Sequence, residues 1–124
     1  MNLPVKNVEK SKEFFGKLGF KNVPEYTDEN AACMMIDDNI YVMLLVEKFF
    51  KKFINDSIAD TSKSTEVITA ISADSPKDVD DLIDKAMKAG GKKWQDTMKE
   101  NGMYGGSFVD IDGHVWEVMH MAKA

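Results

Sequence analysis

The chain has 124 residues, 44% hydrophobic and 30% charged, with a formal net charge of -5. That is chain enough for one buried core, and the acidic balance argues against a phosphate-backbone partner, so nucleic acid is not expected to bind. Cys33 is the sole cysteine, which excludes an internal disulfide and a thiolate zinc site and suits a cytoplasmic protein; His114 and His120 are the whole imidazole supply.

Asn2-Leu3-Pro4-Val5 is apolar at alternate positions and contains a proline, which suits a strand near a sheet edge. Lys6 is followed by polar residues, unlike a signal peptide. From Val8 to Leu18 the period becomes helical, with Val8, Phe14, Phe15 and Leu18 on one face, Asn7 as N-cap and Gly19 as stop. The polar segment Asn22 to Asn30 carries only a weak strand pattern. Ala31 to Ile36 and Ile40 to Val46 flank the turn cluster Asp37-Asp38-Asn39 and predict a hairpin. Both runs are continuously apolar, as in strands buried on two faces. The second is also the longest apolar run, seven residues against the roughly 20 of a membrane-spanning helix, so no membrane span is expected.

Glu47 to Asn55 has helical spacing, with Phe49, Phe50, Phe53 and Ile54 opposite Lys48, Lys51, Lys52 and Asn55. Its aromatic face covers the core, closes a pocket or meets a second copy. Asp56 to Ser64 reads as a connector, and Glu66 to Ala73, rich in Val, Ile and Thr, as a strand. Ser75-Pro76 opens a helix that runs to Ala89, with Val79, Leu82, Ile83, Ala86 and Met87 as its stripe and Gly90-Gly91 as its end. A short strand is expected around Trp94 and a loop over Lys99 to Tyr104. Gly105 to Val109 then leads through an acidic-glycine turn, Asp110-Ile111-Asp112-Gly113, into an alternating strand that carries Glu117.

The two halves repeat one order: strand, helix, glycine stop, weak strand, hairpin. Val8, Phe15, Leu18 and Gly19 align without gaps on Val79, Ala86, Ala89 and Gly90, and the hairpins align Ile36 with Val109 and Val42 with Val115. That alignment sets Leu44 opposite Glu117. Leu3-Pro4-Val5-Lys6-Asn7-Val8-Glu9-Lys10-Ser11 with Phe14-Phe15 and Leu18-Gly19-Phe20, together with Asp110-Ile111-Asp112-Gly113-His114-Val115-Trp116-Glu117, resembles the vicinal oxygen chelate superfamily, the glyoxalase and bleomycin-resistance fold. The resemblance covers nearly the whole chain. It implies an α+β fold of two tandem βαβββ modules, about 1–55 and 65–124 about a connector near 56–64, in one domain whose mixed sheet curves into a cup with helices outside.

Metal-dependent members of that superfamily hold one divalent ion with two ligands from each module. Carried over, those positions fall just before Met1 and at Leu44, Ile68 and Glu117. Only Glu117 can ligate, whereas a catalytic site commonly needs about three protein ligands, so the resemblance implies no cofactor here. It implies instead a small organic ligand in an apolar cup lined by Leu44, Ile68, Met43 and Met119, in a homodimer. The alternative is a lyase or isomerase in which Glu117 is the catalytic base or a weak metal ligand. Strand alternation sets His120 on the face opposite Glu117, and His114 reads as a solvated turn residue. Cys33, within an apolar strand, reads as a small buried hydrophobe.

Overall fold

The computed structural model describes residues 1–122 and divides into two compact units, Met1–Asp60 and Thr61–Ala124. The boundary falls inside the expected connector. Each unit is a mixed α+β assembly around its own sheet, one of four strands and one of five.

In the first unit, β1 (Asn2–Val5) leads through the Asn7 cap into α1 (Val8–Lys17). The Asn7 side chain accepts from the Lys10 amide at 3.0 Å, which satisfies one of the amides a helix start leaves without a partner. Gly19 ends the element at φ +101°, where a side chain would be strained. Phe14 and Phe15 meet edge to face at 5.0 Å, and Phe20 stacks on Phe15 at 5.6 Å. β2 (Lys21–Asn22), β3 (Ala31–Asp37) and β4 (Ile40–Val46) complete the sheet in the order β1-β4-β3-β2. β1 runs parallel to β4, and the remaining pairs are antiparallel.

Residues paired across a ladder share a face. Leu3, Leu44 and Ala32 therefore lie together, as do Asn2, Met43 and Cys33. The first of these faces, extended by Val5, Val42 and Met34, is buried throughout, and α1 packs on β3 and β4. Leu45, Ala31 and Cys33 of the other face are buried too, as continuous apolar strands require. Burial also pushes the Cys33 thiol above its ordinary pKa, away from the thiolate form.

The aromatic helix is shorter than its periodicity predicts. Only α2 (Glu47–Phe50) is α-helical, and one 3-10 turn, Lys51–Phe53, follows. Phe49 and Phe50 are half-buried, while Phe53 remains 64% exposed and touches Phe49 edge to face at 5.2 Å.

The second unit repeats the plan with β5 (Ile68–Ser72), α3 (Pro76–Lys88), β6 (Lys92–Lys93), β7 (Met98–Glu100), β8 (Met103–Val109) and β9 (Val115–Met121). Ser75 caps α3 through the Asp78 amide at 3.1 Å. The order is β5-β9-β8-β6, with β5 parallel to β9 and with β7 also on β8. One expected loop is thus a hairpin. Asn101 and Gly102, at φ 51° and 76°, form its two-residue turn between β7 and β8, the conformation that an Asn-Gly pair favours.

Beneath α3 lies the core face of this sheet. Phe108 and Trp116 stack there with centroids 6.2 Å apart and rings 1° from parallel, both fully buried. Next to them Gly106 lets Ile83 of α3 approach closely, since an added Cβ would stand 3.1 Å from its side chain.

Candidate functional site

Strand β9 lies between β5 and β8, so its side chains divide cleanly between two faces. Trp116 and Val118 belong to the core. Glu117 points the other way, paired with Ala70 of β5 and Ser107 of β8. The same register puts Val109, Val115 and Ile68 in the row before it, and Gly105, Met119 and Ser72 in the row after it. An apolar face thus surrounds one half-buried carboxylate.

The chemistry around that carboxylate is sparse. Ser107, buried at its side, accepts from the Gln95 amide at 3.0 Å, a side-chain bond that ties the segment after β6 to β8. Among the described residues, none donates a hydrogen bond to the Glu117 carboxylate. Met119 folds over Gly105, where any Cβ would collide with its sulfur, so a glycine is required for the thioether to lie flat on the sheet.

The site residues expected from the sequence divide between the two sheets. Ile68, Glu117 and Met119 share the open face of the second sheet, with Ile68 49% exposed. Leu44 and Met43 belong to the first sheet and lie on opposite faces of it. Leu44, at 0% exposure, sits with Leu3 and Ala32 in the fully buried layer, whereas Met43 is half-buried on the alternate face. The gapless alignment that matched Leu44 with Glu117 is displaced by one position in strand parity, and one residue of slip exchanges the two faces. The turns differ, Asp37 to Ile40 in one hairpin and Val109 to Val115 in the other, and β3 carries a register shift between Met35 and Asp37.

Of Leu44, Ile68 and Glu117, only Glu117 has a ligating side chain. Leucine and isoleucine have no lone pair, and among the described residues no three of the His, Cys, Asp and Glu side chains come together as a ligand group. His120 lies on the face away from Glu117, with Nδ1 at 3.1 Å from the Ala73 carbonyl oxygen.

His114 departs from expectation. It is 3% exposed rather than solvated, and its Nδ1 lies 3.4 Å from Glu66 Oε2. Its backbone amide and that of Asp112 both donate to Asp110 Oδ1, at 3.0 and 2.9 Å, while the Trp116 indole N–H donates to Oδ2 at 3.0 Å. Asp110 is thus the buried acceptor around which the turn before β9 is built. Burial pushes its carboxyl above the ordinary range, against the opposing effects of His114, Trp116 and the two amides. Thr61, from the expected connector, closes the cluster by donating to the Asp112 carbonyl at 2.7 Å and packing against Gly113, which has φ 85°. This cluster braces the turn that leads into β9. Its signal in the sequence was the acidic residue opening the Asp-x-Asp-Gly turn.

The model of the Glyoxalase/Bleomycin resistance protein/Dioxygenase superfamily matches residues 1–118. No curated protein sequence matches the chain. Among solved structures, a hypothetical protein from S. aureus is similar, with 29% identity and a TM-score of 0.83 over 96% of this chain and 89% of that one. A glyoxalase/bleomycin resistance protein/dioxygenase family enzyme from Burkholderia phytofirmans PsJN superposes with a TM-score of 0.80 at 13% identity, over 98% and 96% of the two chains. The fosfomycin resistance protein FosX from Listeria monocytogenes gives 0.72 at 17% identity, over 98% and 90%.

Proposed function

The chain belongs to the Glyoxalase/Bleomycin resistance protein/Dioxygenase superfamily, and on that footing we propose that it binds a small organic molecule on the open face of its second sheet without a divalent metal. The observation that carries this reading is the composition of that face. Ile68 and Met119, beside the buried Val115, offer apolar contact, and Glu117 offers one acceptor with no donor among the described residues. Such a face suits a largely apolar ligand with a hydrogen-bond donor, because a half-buried acceptor that lacks a protein donor gains a partner that arrives with the ligand. Methionine adds an adaptable wall.

The test is ligand-dependent stabilisation in buffer containing EDTA. A compound present at a hundredfold excess over its Kd should raise the unfolding free energy by about 2.7 kcal/mol. Compounds that stabilise the wild type are expected to lose most of that shift with Glu117→Leu; a broad library that never moves Tm would remove the proposal. The expected homodimer is part of the same reading, supported by the exposed Phe53 ring, and a monomer mass by light scattering would remove it.

A further inference from the structure

The open face of the second sheet gathers Met98, Met103, Met119 and Met121, out of nine methionines in the chain. Met98 and Met119 flank Gly105 in one row, and Met103 and Met121 pair directly in the next. The hydrogen bonds from the Ala122 amide to the Gly102 carbonyl and from the Asp110 amide to the His114 carbonyl fix which pairs of this ladder are hydrogen-bonded. By alternation, Met103 with Met121 and Gly105 with Met119 are the non-hydrogen-bonded pairs, whose side chains stand closer. The Met119 sulfur occupies the space that a side chain on Gly105 would fill, so it leans across β8 toward the row position of Met98. Met98 and Met121 are 42% and 66% exposed, which leaves the group reachable from solvent.

We propose that these thioethers form a binding site for a soft monovalent cation, Cu(I). Thioether sulfur is a neutral, polarisable donor that selects Cu(I) over the harder divalent ions, and this face carries no imidazole to favour zinc. Glu100, paired with Met103, places a carboxylate at the end of the cluster that offsets the charge of the ion. Apolar packing alone would use the same positions but would not depend on sulfur.

The experiment separates the two. In a Cys33→Ala background, which removes the only thiol, the protein is titrated anaerobically against the Cu(I) complex of bicinchoninate. About one equivalent of Cu(I) is expected to transfer to the protein. Replacing Met98 and Met119 together by leucine, close to them in volume, is expected to weaken transfer at least about tenfold, while Met35→Leu in the other sheet leaves it unchanged. X-ray absorption at the copper edge should show a sulfur-only shell. Unchanged affinity in the double leucine variant, no transfer to the Cys33→Ala protein, or a nitrogen and oxygen shell would each overturn the proposal.

Discussion

Asp110→Ala is expected to lower the unfolding free energy by about 3 kcal/mol or more, because it removes the acceptor of three donors and each buried orphan costs about 1–3 kcal/mol. The Trp116 indole N–H is the most sensitive of them, since its ring is fully buried against Phe108. Asp110→Asn retains one oxygen for the Asp112 and His114 amides but turns an NH₂ toward the indole N–H, donor against donor. Combining it with Trp116→Phe removes that conflict, so the double variant should lose less than the sum of the singles in urea denaturation. Additive losses would mean that the Asp110–Trp116 bond does not stabilise the turn.

The same residue gives a pH dependence with a definite sign. Its folded-state pKa lies above the ordinary 3.8, chiefly through desolvation. The folded protein therefore holds this proton more tightly than the unfolded chain does. The corresponding stability is fully present below 3.8 and lost as pH rises through the folded value. The wild type should consequently gain on Asp110→Asn as pH is lowered toward that limit, and a gap that narrows on acidification would contradict the burial of this carboxyl.

Leu44→Glu is the second large effect. On the register found here it buries a charge between Leu3 and Ala32, at a cost of at least about 4 kcal/mol. Met43→Glu, on the half-buried face, should cost only about 1–2 kcal/mol. The reverse order in chemical denaturation would restore Leu44 as the counterpart of Glu117.

Those two positions show how far the sequence could be read. The helix cap at Asn7, the helix opening at Ser75-Pro76, the stop at Gly19 and both main hairpins were legible because each rests on local chemistry. The parity of Leu44 was not, because β4 is apolar at every position and has no alternation to mark its faces. In β9 the single carboxylate among apolar neighbours marked the face correctly. Asn101-Gly102 was a readable hairpin signal that the polar flank Lys99-Glu100 obscured, since β7 buries nothing that would give it a strand pattern. The burial of His114 comes with Glu66, far away in sequence at the start of the segment read as a strand, and no local rule predicts such a contact. The aromatic helix failed for a related reason. Helical spacing over Phe49 to Ile54 does not oblige the chain to continue a helix when Phe53 stays exposed.

The metal-free reading of the Glu117 face is tested most directly by the Tm of EDTA-treated protein titrated with manganese, nickel and zinc ions. The wild type and Glu117→Leu should respond alike, since a single carboxylate among Ile68, Val115 and Met119 falls short of the three or so protein ligands that a divalent site commonly uses. A saturable rise in Tm with any of these metals that Glu117→Leu abolishes would contradict it.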